Sequence, residues 1–178
     1  MSIATPALDT LRDTLVDEFK DTRLNLGSVL AGENLDPAKA FGVALSAARF
    51  LRAEKLAAAL ESDIRAGLGD TAPAVISDAV AAAGVMAMNT VYYRFRHMLA
   101  KESYEARPPR LRMSRMAQPA TDKPTFELMS LACAALAGCE LCIRNHEAHL
   151  IDAGTSEDAC HDAVRIAAVI NAAAVGIA

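Results

Sequence analysis

Two cysteines three positions apart, with a histidine four positions after the second, are the part of this sequence best suited to chemistry. They lie in Ala137-Gly138-Cys139-Glu140-Leu141-Cys142-Ile143-Arg144-Asn145-His146. The nucleophilic form of cysteine is the thiolate. At a reference pKa of about 8.5 only a few per cent is ionised at neutral pH. Lowering that pKa to about 7 would ionise roughly half, for about 2 kcal/mol of differential stabilisation. The sequence offers two sources for it. Gly138 allows a new helix to start at or near Cys139, with backbone N–H groups and the positive dipole end at the sulfurs. His146 falls one helical turn after Cys142, on the same face, and can hold a thiolate or pass a proton to a leaving group. Cys139, one turn earlier, can attack an oxidised Cys142. A cycle follows. A peroxide oxidises one thiolate to a sulfenic acid, the neighbouring thiol condenses with it to a disulfide, and an external dithiol reduces the disulfide by exchange.

Other readings compete for the same residues. Cys139, Cys142 and His146 could bind zinc, with His149, Cys160 or His161 as fourth ligand. Structural zinc usually draws on loops with a second ligand pair at set spacing, and no such pair is present here. Cys133 reads as a small buried hydrophobe, and Cys160 as the same or a surface bystander. His149 and His161 read as surface residues. Glu127, in Thr125-Phe126-Glu127-Leu128, reads as a first-turn glutamate that suits a helix dipole or cap.

Composition bounds what can position these groups. The 178 residues are 53% apolar and only 4% aromatic, with no tryptophan and a net charge of −4. A sizeable core is affordable, and alanine and leucine favour closely packed helices over a β-sandwich. The negative balance argues against nucleic-acid binding. Acidic Asp9, Asp13, Asp17 and Glu18 interrupt any secretory apolar run, and the alanine-rich runs are expected to fall short of a membrane span. A cytoplasmic chain is therefore expected. In that compartment four cysteines do not make a structural disulfide framework.

Along the chain, Thr5-Pro6 and Asp36-Pro37 look like helix starts. A first helix is expected through Leu8, Leu11, Leu15 and Phe19, fading at Leu24-Asn25-Leu26-Gly27. A second carries Phe41, Leu45, Ala48 and Leu51. A third carries Leu56, Leu60 and Ile64 and stops at Gly67-Leu68-Gly69. From Thr71-Ala72-Pro73 a fourth presents Ile76, Val80, Ala83, Val85 and Met88, with an interruption expected at Asn89. Met86 and Met88 read as core packing. Arg107 to Pro124, with four prolines, reads as loop. The seven Lys/Arg from Arg94 to Arg115 read as a solvated face or a docking surface for an acidic partner. Helices are then expected from near Thr125 to Ala137, through Cys142, His146 and Leu150 to Gly154, and from a Ser156 cap through Val164, Ala168 and Ile170. No strand pattern of useful length is visible. The expectation is an all-α single domain over 1–178. Two pseudo-repeated helical halves, about 71–105 and 121–155, are suggested by an offset of 50 residues pairing Ala82/Ala132, Ala87/Ala137 and Arg94/Arg144.

Gly138-Cys139-x-x-Cys142-x-x-x-His146-Glu147, preceded by Phe126-Glu127, resembles alkyl hydroperoxide reductase D (AhpD), of the carboxymuconolactone-decarboxylase-like group of all-helical proteins. Lys20-Asp21 with Leu24-Asn25-Leu26, Met88-Asn89-x-Val91-Tyr92-Tyr93-Arg94 and Leu111-Arg112-Met113 extend the resemblance over most of the chain. It implies an antioxidant thiol peroxidase that reduces organic hydroperoxides and reactivates a partner peroxiredoxin, AhpC. No bound cofactor or metal is implied. The implied electron donor is dihydrolipoamide on a lipoyl-bearing acyltransferase, regenerated by dihydrolipoamide dehydrogenase, and the implied assembly is a homotrimer. Carried over by position, Cys142 is the peroxide-attacking cysteine and Cys139 its disulfide partner, with His146 and Glu127 in the proton relay. One departure stands out. Leu141 occupies a position where family members can carry a second histidine, which shortens the relay. Glu127 also sits twelve residues before Cys139, about 18 Å of straight helix, so it reaches the cysteines only if the chain folds back near Gly138. Two alternatives remain: a lactone decarboxylase of the parent group, and a zinc-stabilised helical interaction module.

Overall fold

The computed structural model describes residues 3–177, and among these it is all-α, with no strand. Three helices start on a side chain that accepts an otherwise unpaired first-turn N–H, two of them, at Asp36 and Ser156, where the sequence announces, and one slightly before the start expected near Thr125. Asp36 accepts from Lys39 N and opens α3 (Pro37–Phe50). Asp122 accepts from Thr125 N and opens α8 (Lys123–Ala137). Ser156 accepts from Ala159 N and opens α10 (Glu157–Gly176). Helices α3 and α8 form the centre, and α5 (Ala72–Leu99) and α10 flank both. α9 (Glu140–Asp152) folds back along α8, while α4 (Glu54–Gly67) and α1 (Pro6–Arg12) close one edge. α2 (Lys20–Ser28) packs on α10. At the centre, a Cβ on Gly42 of α3 would lie 2.3 Å from Met129 Cε of α8 and 3.3 Å from Val75 Cγ1 of α5, so a side chain there would displace the end of Met129.

The N-terminal expectation needs correction. The Leu8, Leu11, Leu15, Phe19 stripe is not one helix: α1 ends at Arg12, and Leu24 to Gly27 lie inside α2 instead of marking an end. Leu15 is buried all the same, carried inward by the turn between the helices. Thr5 does not cap α1. Its hydroxyl bonds to Asp9, and the first N–H groups are taken by buried Asp63 of α4, which accepts from Ala7 N at 3.0 Å and Leu8 N at 2.9 Å. A cap supplied from 55 residues away leaves no local signal.

Nor does Asn89 interrupt α5, which runs unbroken to Leu99. Its inner face is Val75, Ile76, Ala79, Ala82, Ala83 and Met86, whereas Val80 is 47% exposed. Alanines bury by close approach, and a stripe read from the larger side chains misplaces the face. Between Arg107 and Pro124 a short helix α7 (Ser114–Ala117) interrupts the loop, after the equally short α6 (Glu102–Glu105). By length and composition Gly69–Leu99 and Glu157–Gly176 are apolar enough to cross a membrane, contrary to expectation. Both belong to helices that pack against α3 and α8.

Candidate active site

The link between α8 and α9 is two residues long. Gly138 takes the left-handed conformation at φ 61°, which costs glycine little because it lacks a Cβ. Gly138 N donates to Ala135 O at 3.0 Å and Cys139 N to Ala134 O at 3.1 Å. That is a Schellman ending, which satisfies the last carbonyls of α8. Arg94 of α5 adds a 2.6 Å bond to the Ala137 carbonyl. Cys139 is then the N-cap residue of α9, and its carbonyl accepts from Ile143 N at 2.9 Å. Cys142 sits in the first turn of that helix. The expected helix N-terminus at the sulfurs is therefore present, and Cys139 and Cys142 are joined as a disulfide with Cα atoms 5.2 Å apart.

The two cysteines face different surroundings. Cys139 is fully buried in a small cluster with Met86, Cys133 and Ala134. Cys142 opens onto a pocket of about 190 Å³ together with Leu141, His146 and His149. Asn89 and Tyr93 of α5 and Met113 and Met116 of the 107–122 segment form its other side.

The reversal at Gly138 lays α9 against α8 and brings Glu127 to His146. His146 Nδ1 and Glu127 Oε2 are hydrogen-bonded at 2.5 Å, and both side chains are under 10% exposed. A buried carboxylate needs a partner or a proton, and the imidazole is that partner. The dipole or cap reading of Glu127 gives way to this pairing, and the geometric condition for its reaching the site is met. Nδ1 is committed to Glu127, which leaves Nε2 as the free ring nitrogen of a histidine that lines the Cys142 pocket.

The remaining thiols differ from this pair. Burial pushes the Cys133 thiol up to about 12, so it stays protonated and inert. Cys160 is also buried in the core and its thiol is raised, first by burial and then by nearby Glu147. His149 is 59% exposed, yet its Nδ1 lies 3.9 Å from Glu127 Oε1. It is a surface residue, as expected, and it also lines the Cys142 pocket. Its place seven residues after Cys142, two helical turns on, was the available signal. Asn89, Tyr93 and Met113 lay in segments that carried the family resemblance without being marked as pocket residues, and Met116 carried no signal. Much of the basic segment is committed internally. Arg115 pairs with buried Asp78 at 2.7 Å, Arg94 with Ala137 O, Arg96 with Glu105 O and Arg107 with Ser103 O. Among the described residues no three His, Cys, Asp or Glu side chains converge as a metal-binding group.

Fold and site together define an all-α protein with a Cys-x-x-Cys disulfide at a helix N-terminus, beside a buried histidine–carboxylate pair. The carboxymuconolactone decarboxylase family model matches residues 103–178, the part that holds all of these groups. The alkyl hydroperoxide reductase AhpD of Anaeromyxobacter dehalogenans (strain 2CP-C) is 52% identical over 171 residues, covering 96% of this chain and 90% of that one. The AhpD of Rhodopseudomonas palustris (strain BisB18) is 44% identical over 171 residues, covering 96% and 93%. That of Beijerinckia indica is 39% identical with the same coverage. The chain belongs to the AhpD family, as its motifs led one to expect.

Proposed function

We propose that this chain is a thiol-dependent alkyl hydroperoxidase and disulfide oxidoreductase, as the names of its relatives suggest. The observation that carries the reading is the asymmetry of the dithiol: Cys142 shares a pocket with His146, which is bonded to buried Glu127, while Cys139 is sealed behind it. In this reading the Cys142 thiolate attacks the terminal oxygen of an organic hydroperoxide. The O–O bond breaks, the sulfur becomes a sulfenic acid, and the leaving alkoxide takes a proton held by the His146–Glu127 pair. Cys139 then attacks the Cys142 sulfur and releases water, giving the disulfide. The first-turn N–H groups of α9 favour the thiolate that leaves when the disulfide is reduced.

Electrons come from dihydrolipoamide on a lipoyl-bearing acyltransferase, itself reduced by dihydrolipoamide dehydrogenase, and the same dithiol reduces a partner peroxiredoxin, AhpC, in the cytoplasm. Exchange needs only an accessible Cys142 and a leaving Cys139, so it tolerates Leu141 in the pocket wall. A homotrimer is supported by the uncovered apolar face of α5, where Val80, Val91, Phe95 and Met98 are 46–76% exposed. Monodisperse monomer in sedimentation would count against it.

The test is hydroperoxide-dependent oxidation of dihydrolipoamide by wild type, Cys142→Ser and Cys139→Ser. Cys142→Ser should lose turnover entirely, and Cys139→Ser should stop with a sulfenic acid at Cys142. Trapping the sulfenic acid at Cys139 instead would reverse the roles. The matching family model is named for a lactone decarboxylase. Lactone decarboxylation that survives loss of both thiols would favour that second reading.

A further inference from the structure

Proton supply singles out one more residue. In the hydroperoxidase reading the pair His146–Glu127 gives up a proton each time an alkoxide leaves. A dithiol reductant attacks as its thiolate, having left a proton in solvent. Summed over the cycle, a hydroperoxide, a singly ionised dithiol and one proton yield an alcohol, water and the cyclic disulfide. One proton per turnover must therefore come from solvent to a pair that is more than 90% buried. Through the pocket at Cys142 that proton would share its path with hydroperoxide and reductant.

Glu127 has a second side. Oε2 is bonded to His146, but the carboxylate also lines a separate pocket of about 270 Å³ together with Lys123, His149 and Asp152. His149 lines this pocket and the Cys142 pocket as well. Its Nδ1 stands 3.9 Å from Glu127 Oε1 while the side chain is 59% exposed. It thus touches solvent on one side and approaches the second carboxylate oxygen on the other. Histidine suits the task because its ordinary pKa lies near neutrality, so it both takes and gives a proton there.

We propose that His149 carries protons from solvent to Glu127 and so reloads the His146–Glu127 pair, resting on the hydroperoxidase reading above. It acts through Glu127 and does not touch the reacting atoms. The charged and titratable groups around it are Lys123 and Glu127 from α8, Cys142, His146 and Asp152 from its own helix, and Tyr93 from α5.

The experiment compares wild type with His149→Ala and His149→Gln. Glutamine keeps the bulk and polarity but cannot shuttle a proton. In a single turnover of reduced protein with tert-butyl hydroperoxide, the pair is already loaded, so oxidation of Cys142 should slow by less than steady-state turnover does. Steady-state turnover with dihydrolipoamide should fall about tenfold in both variants, less than the loss of a direct acid–base group because water also reaches the pocket. Turnover should also decline more steeply with rising pH, and added imidazole should restore it. Variants that turn over like wild type overturn the role of His149, as does a loss that imidazole does not restore and that leaves the pH profile unchanged. An inert wild type overturns the hydroperoxidase reading and this role with it.

Discussion

Asp78 on α5 and Glu127 on α8 are both buried carboxylates, and they are built for opposite ends. Asp78, with no exposed side-chain surface, accepts from Ala120 N, Thr121 N, the Thr121 hydroxyl and the Arg115 guanidinium at 2.7–3.0 Å. Burial alone would raise its pKa, but these donors outweigh burial and hold it below the ordinary carboxylate range. It pins the segment before α8 to α5 and stays ionised. Among the described residues Glu127 has a single hydrogen-bonded partner, the imidazole of His146, and it lines a pocket. Saturating a carboxylate with fixed donors removes its use for a proton. A titratable partner and an open side preserve it.

The contrast breaks first at Glu127. Glu127→Gln should keep the fold and lower peroxidase turnover by about 10²-fold or more. If it unfolds the protein while turnover per folded molecule is intact, Glu127 is a second structural clamp. Asp78→Asn should do the reverse, destabilising by about 2–3 kcal/mol because a hydrogen-bonded charge is lost from buried donors, as read from the denaturant midpoint. The sign with pH follows from its lowered pKa. The stability Asp78 contributes is present above the unfolded value of about 3.9 and is lost as pH falls through the lower folded value. The gap between wild type and Asp78→Asn should therefore be full at neutral pH and narrow under acid. A constant gap down to acid unfolding would mean that the charge contributes nothing. Gly138→Ala should have the smallest effect, about 1 kcal/mol. Nothing lies within 4 Å of the added Cβ, so only backbone strain at φ 61° is felt. A neutral result would mean the reversal that carries α9 back to Glu127 tolerates a side chain.

Helix starts at Asp36 and Ser156 and the break at Gly138 were legible in the sequence, because capping and left-handed turns depend on a few adjacent residues, whereas the start expected near Thr125 lies earlier, on Asp122. So were Cys139, Cys142 and His146, whose spacing of three and four residues places them on one helix end whatever the rest of the chain does. The start of α1 on Asp63, the inner face of α5 and the burial of Leu15 were not, since each depends on a partner far along the chain or on close alanine packing. The catalytic candidates divide in the same way. That a dithiol sits at a helix N-terminus with a histidine one turn on is local periodicity. Which cysteine meets a pocket, that Glu127 meets His146 across 19 residues, and that exposed His149 comes within 3.9 Å of that carboxylate were decided by the antiparallel docking of α9 on α8. Periodicity fixes neighbours along one helix, but only packing sets the distance between two.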